Sequence, residues 1–171
     1  MEMRTIKFKA KAFNGEWVIG CLLHRLDGRV YIYDDNNDVP FSGLVCSEEE
    51  TALRIPVDRK TICQFTGFLD KNGKEIYEGD VLQSDKELSG IFLDKDPHKA
   101  VVCWSEEHGV FYRMTFKDPE ARVFQNANRS CHVLSRFIRS YEVIGNIHDP
   151  EWKQKFDGRT ECKLSIAIFA D

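Results

Sequence analysis

The run from Thr61 to Leu82, TICQFTGFLDKNGKEIYEGDVL, holds a turn whose chemistry dictates what the chain on either side of it can become. Asp70-Lys71-Asn72-Gly73 has the side-chain order of a type I turn followed by a glycine in the left-handed region, the connection that closes a bulged three-residue hairpin. Glycine meets no Cβ penalty there. Short apolar pieces flank it, Phe65 to Leu69 before and Ile76-Tyr77 after, and Glu78-Gly79-Asp80 breaks the chain again before Val81-Leu82. The order strand, hairpin, strand, tight turn, strand follows, so the chain around it is antiparallel β.

The first third repeats this logic. From Arg4 to Phe13, the residues Ile6, Phe8, Ala10 and Ala12 alternate with Lys7, Lys9 and Lys11, a period of two that buries one side of a strand and solvates the other. A lysine row on a strand has two readings, a stripe for nucleic acid or, on an edge strand, a guard against edge-to-edge pairing; the second is the simpler expectation. Asn14-Gly15 closes a hairpin into Glu16 to Leu23, where Trp17, Ile19, Cys21 and Leu23 share one face. Asp27-Gly28 gives the same signal before Val30 to Tyr33, which completes an antiparallel meander.

Gln64-Phe65-Thr66-Gly67, Asp70 to Lys74 and Ile76 to Asp80 also form one ordered motif. It resembles, residue by residue, the central motif of the YopX family of phage and prophage proteins: Gln-aromatic-Thr-Gly, then Asp-Lys-Asn-Gly-Lys, then Ile-Tyr-Glu-Gly-Asp. Ile6 to Ala10 and Tyr141 to Ile147 are similar to that family as well. The resemblance implies an SH3-like β barrel in the half containing Glu78-Gly79-Asp80, binding partners through an aromatic-rich groove between loops. It also implies a phage- or prophage-type accessory protein without an established biochemical role. Phe65, Tyr77, Trp104 and Tyr141 are the aromatics near the rim of such a barrel, and Gln64 and Thr66 are polar residues beside an apolar strand.

At 171 residues the chain has room for one domain or two small β lobes. With 42% hydrophobic and 12% aromatic residues it should fold, and a net charge of -4 argues against a whole-protein field for nucleic acid. The six cysteines make no CxxC pair, and neither a signal peptide nor an apolar run of about 18 residues is present. A reduced, cytoplasmic protein with cysteines as small core residues is the expectation, with no membrane partner.

Elsewhere the signals are mixed. Asp34, Asn36 and Asp38 alternate as in a calcium loop, but Val39 stands where glycine is needed and Val45 where a bidentate glutamate is needed, so a solvated acidic loop is expected. Ser47 to Glu50 has capping-box spacing for a short helix that Pro56 must end. Ser84 to Lys99 reads as a long inserted loop. Ala100 to Trp104 and Val110 to Phe116 form a hairpin whose second strand is aromatic on both faces and so covered twice. Cys131 to Ile138 fits strand and helical turn equally. In Tyr141 to Ile147, Gly145 marks a bulge or close backbone contact. Asp149-Pro150-Glu151 starts a helix that Asp157-Gly158 stops near Phe156, and Leu164, Ile166 and Ile168 alternate as an added strand that must be buried.

No catalytic signature stands out. His24, His98, His108, His132 and His148 lack metal spacing, and there is no phosphate loop, GxSxG or HExxH. Glu78 and Asp80 could be an acid and a base, or turn residues satisfying backbone N–H groups, and the turn reading is taken. The expectation is a mostly β chain with short helices: an N-terminal antiparallel meander in 1–60, a central hairpin and SH3-like barrel in 61–149, and a short helix with a C-terminal strand in 150–171. Functionally it is a non-enzymatic association module with a protein partner, self-associating into a homo-oligomer, and needs no metal or cofactor. Its binding residues are Gln64, Phe65, Thr66, Tyr77, Glu78 and Asp80. The alternative is a nucleic-acid binder using Lys7, Lys9, Lys11 and the barrel aromatics.

Overall fold

A computed structural model describes residues 5–34, 54–85, 99–116, 131–134 and 138–156. The calcium-like loop beyond Asp34, the capping box at Ser47, most of the 84–99 loop and the apolar strand at 162–169 lie outside these residues. The chain divides into two compact units, Met1–Gly67 and Phe68–Asp171. Among the described residues the strands pair antiparallel, in two sheets.

The first sheet contains β1 (Phe8–Lys11), β2 (Trp17–His24), β3 (Val30–Asp34), β4 (Arg54–Pro56), β5 (Cys63–Leu69) and β6 (Glu75–Tyr77), in the order β4-β3-β2-β1-β5-β6. Its turns are those the glycines foretell. Gly15, Gly28 and Gly73 all take positive φ near 80–90°, a region that side chains with a Cβ avoid. In the central hairpin Asp70 N–H donates to Lys74 O at 2.8 Å and Gly73 N–H to Asp70 O at 3.0 Å.

One expectation for this sheet is overturned. β1 is not an edge strand, because it pairs with β2 on one side and, through Phe8↔Gln64 and Lys9↔Cys63, with β5 on the other. The lysine row therefore guards no edge. The same register decides which side of β2 is inside. Ala10 opposes Val18 and Phe8 opposes Gly20, so Val18 and Leu22 join Ala10, Val30, Ile32 and Val57 in the core. Trp17 and Ile19 oppose Lys11 and Lys9 and share the outer face.

The second unit is built on β7 (Asp80–Ser84), β8 (Lys99–Ser105), β9 (Val110–Phe116), β10 (Cys131–Val133) and β11 (Tyr141–Asn146), ordered β10-β9-β8-β7-β11. Among the described residues this sheet is open, with β10 and β11 at its two ends, and forms no closed barrel. It is covered on both faces. Leu82, Val102 and Phe111 pack with Ile76, Leu134 and Tyr141 on one side, while Val81, Val101 and Cys103 pack with Trp152 on the other. Alternate residues of a strand face opposite ways, so two adjacent apolar positions in β7 and β8 serve two cores. Trp152 comes from helix α1 (Pro150–Phe156), which begins and ends where its sequence signals place it. Cys131 to Ile138, legible as either state, is strand to Val133, and a 3₁₀ turn follows at Ile138–Ser140.

The thiols of Cys63 and Cys103 are buried, lying 3.3 Å from Thr61 O and 3.8 Å from Val101 O, and that of Cys21 is exposed. Among the described residues no helix is long and apolar enough to cross a membrane.

Candidate functional site

The motif turns of the second unit converge on a single strand, β11. The first contact comes from the hairpin turn. Asp70, 5% exposed, accepts the N–H of Asn72 at 2.8 Å and of Lys74 at 2.9 Å on Oδ1, the local pattern of an aspartate holding its own turn. Its Oδ2 accepts a remote donor, the N–H of Val143 in β11, at 2.9 Å. Lys71 N–H donates to Tyr141 O at 2.9 Å. β11 ends the sheet order, and the turn thus occupies backbone groups that a strand at the end of a sheet would otherwise leave open to another chain. On the surface the Lys71 ammonium reaches Asp85, and Glu142 at 3.1 Å; these two hydrogen bonds raise its pKa, in that order.

The second contact comes from Glu78-Gly79-Asp80. Asp80 is wholly buried at the start of β7; Oδ2 accepts the N–H of Tyr77 at 2.8 Å, and Oδ1 accepts the side-chain amide of Asn146 at 2.9 Å. Asn146, equally buried, is the last residue of β11, and its amide also lies 3.3 Å from Glu78 O. Gly79 sits at φ 75°, donates its N–H to Val102 O at 2.8 Å and accepts from Ile147 N–H at 2.9 Å. Asn146 continues the chain of bonds: its Oδ1 accepts from His148 N–H at 3.0 Å, and its own N–H donates to Asp149 Oδ2 at 2.9 Å.

Around this network, burial first and then the neighbouring Glu75 carboxylate push the Tyr77 hydroxyl far above the ordinary tyrosine range. That hydroxyl donates to Glu75 Oε2 at 2.7 Å. Glu78 is the motif carboxylate that makes no turn bond. It is half-buried, and burial raises its pKa. A pair of carboxylates working as acid and base needs both available to a substrate. Asp80 is instead committed on both oxygens to protein donors. Ser105 Oγ and His108 Nδ1 lie 3.0 Å apart, which invites a nucleophile reading, but His108 N–H also points to that oxygen at 3.3 Å. The hydroxyl closes its own β8–β9 turn. No group of three or more His, Cys, Asp or Glu side chains among the described residues could hold a metal ion.

The six expected binding residues fall in two places. Gln64, Phe65 and Thr66 lie on β5 in the first unit; Tyr77, Glu78 and Asp80 lie in the second. Gln64 opposes Phe8 and so shares its core-facing side, Thr66 is buried, and Phe65 is 8% exposed with the Lys7 ammonium 5.4 Å from its ring. Of the rim aromatics, Tyr77 and Tyr141 are core residues, with the Arg113 guanidinium 5.0 Å over the Tyr141 ring. Trp104 is half-buried and meets Phe111 edge to face at 4.8 Å. Asn146 was not among the expected residues. The signal available for it was a polar side chain closing a strand just after the apolar Val143-Ile144.

Two turn carboxylates gripping one strand across an antiparallel sheet define the class, a two-sheet β protein whose motif is built into its architecture. The chain belongs to the YopX family: the YopX protein family model matches residues 7–151. The match takes in both motif turns and β11 and ends in the first turn of α1. No curated protein matches the chain.

Proposed function

We propose that the chain is a non-enzymatic protein-association module of phage or prophage type, acting in the cytoplasm and associating with itself. The SH3-like barrel belongs to this reading, its support being the family membership and the five-stranded second sheet. The observation that carries the association is the concentration of uncovered apolar side chains in the first unit. Leu26, at the β2–β3 turn, is fully exposed, and Phe13, at the β1–β2 turn, is 79% exposed. The β2–β3 turn also lends Gly28 and Arg29 to a groove of about 420 Å³ whose lining includes Phe13, Val30, Tyr31, Pro56 and Val57. An apolar side chain at a turn apex gains about 1.5–3 kcal/mol if association buries it fully, and a groove of this composition is where such a side chain fits.

Light scattering across a wide concentration range tests the reading. It calls for a mass above that of the 19.8 kDa chain, and for Leu26→Ser and Phe13→Ser to lower that mass while leaving the fold intact. A strict monomer at the highest concentration removes self-association.

A further inference from the structure

We infer that the groove of the first unit takes an extended acidic segment of a partner protein, with apolar side chains on the groove floor and carboxylates on an arginine rim. This rests on the reading of the chain as an association module and names the chemistry of the partner its groove accepts. The groove lies where the chain after β4 crosses back to β1. Val57 N–H donates to Val30 O at 3.2 Å, and Val57 also bridges Ala12, the residue after β1. Asp58 N–H then donates to Lys11 O at 2.8 Å, and Lys11 N–H to Thr61 Oγ1 at 2.8 Å. Residues 57–61 thus tie β3 to β1. The β2–β3 turn, which supplies Gly28 and Arg29, is closed as well: Arg25 N–H donates to Arg29 O and Gly28 N–H to Arg25 O, both at 3.0 Å. Backbone held in this way need not be ordered again when a ligand arrives, and a volume of about 420 Å³ is that of a ligand cleft.

The lining divides by chemistry. Val30 and Val57 are buried beneath it, Phe13, Tyr31 and Pro56 add apolar surface, and Arg29 and Arg59 are exposed cations. Asp58 is the carboxylate of the lining, and its Oδ1 accepts Lys60 N–H at 3.0 Å to cap the 3₁₀ turn Arg59–Thr61. Asp27 lies 3.8 Å from Nε of both Arg25 and Arg29, an exposed pairing that neutralises little. Glu16, in the β1–β2 turn, is outside the lining and accepts the Asn14 side-chain amide at 2.7 Å. The two segments that supply most of the groove, 25–31 and 56–60, carry Arg25, Arg29, Arg59 and Lys60 against Asp27 and Asp58. That is a positive surplus on a chain whose net charge is -4.

The apolar lining calls for apolar side chains, and the surplus at its rim calls for carboxylates. An extended acidic segment supplies both, because residues two apart face the floor and those between them turn outward to the rim. A guanidinium has five N–H donors in a fork that can take a carboxylate on two of them. Arg29, held by a hydrogen bond to Tyr31, therefore keeps donors for a second acceptor. Charge complementarity of this kind selects the partner more than it tightens the contact, since exposed charges are screened by salt. A chain of phosphates would meet the rim and leave the apolar lining uncovered.

The test is fluorescence anisotropy of the full chain with three labelled peptides of about eight residues, alternating leucine with glutamate, glutamine or lysine. It is run at about 50 mM salt, with light scattering of the same samples before peptide is added. The glutamate peptide should bind with a dissociation constant below about 1 mM, about fivefold or more tighter than the glutamine peptide, and the lysine peptide should be weakest. Arg29→Glu/Arg59→Glu, its urea unfolding compared with wild type, should reverse the order of the glutamate and lysine peptides. Arg29→Gln/Arg59→Gln, which should level that order, serves if the charge reversal fails to fold. Equal affinity for the three peptides overturns the inference, as does a folded arginine variant that keeps the wild-type order. Absence of glutamate-peptide binding in a chain whose mass exceeds 19.8 kDa overturns it and leaves self-association standing, with a second copy as the occupant. Binding by a strict monomer supports the inference and removes self-association.

Discussion

Asn146 donates its side-chain amide to Asp80 Oδ1 at 2.9 Å, with both side chains wholly buried and 66 residues between them in the chain. A buried carboxylate is tolerated only when donors replace the water it has left. Asp80 obtains them from the turn that precedes it and from the end of β11. Asp70 does the same from the other motif turn, and its remote donor, Val143, lies on that same strand. The motif is thus a pair of clamps on β11.

Asp70→Ala should remove three acceptor contacts together, to Asn72, Lys74 and Val143. The turn amides can recover water, whereas Val143 N–H loses the partner that covers it in β11. A loss of about 2 kcal/mol by urea unfolding is expected, with faster hydrogen exchange at Val143. Unaltered exchange there would show that the turn does not cover this strand.

Gly145→Ala should displace α1. A Cβ at Gly145 would run into the Trp152 indole, the residue through which the helix packs on the second sheet. Overpacking of this kind costs about 1–3 kcal/mol. Trp152→Ala should cost more, and the double variant less than the sum of the two, since one contact is shared. Strict additivity in urea unfolding would contradict that coupling.

Glu78 gives a pH dependence with a definite sign. Burial raises its carboxyl above the ordinary glutamate range, so the folded protein holds that proton more tightly than the unfolded chain does. The stability it contributes is complete below the unfolded value and is lost as pH rises through the folded value. Glu78→Gln, neutral at every pH, should therefore be more stable than wild type near about pH 7 and lose that advantage near about pH 3. Unfolding midpoints at the two pH values check this, and an advantage that grows on acidification would refute it.

The hairpins were legible in the sequence because a left-handed glycine is a local requirement: Gly15, Gly28 and Gly73 announce their turns without reference to anything distant. The helix at Pro150 was legible for the same reason. The face of β2 was not, since Trp17-Ile19-Cys21-Leu23 and Val18-Leu22 are both apolar and only the register with β1 selects the inner one. Nor was the interior place of β1, which depends on pairing with Cys63 and Gln64 more than fifty residues later. At the candidate site the local half of Asp70 and the turn role of Asp80 could be read from their neighbours. Their remote donors, Val143 and Asn146, could not, because nothing in a lone sequence ties a turn to one particular strand. Gln64 and Thr66 are polar beside an apolar strand and Tyr77 is aromatic there, features that satisfied interior residues share.

Urea unfolding of Asp80→Ala tests most directly whether the motif is architecture. The substitution strands two buried donors, Tyr77 N–H and the Asn146 amide, at about 1–3 kcal/mol each. The account calls for a loss of about 2–5 kcal/mol with the unfolding slope retained. A variant that unfolds within about 0.5 kcal/mol of wild type, as a surface substitution would, contradicts it and returns Asp80 to the list of residues kept for chemistry.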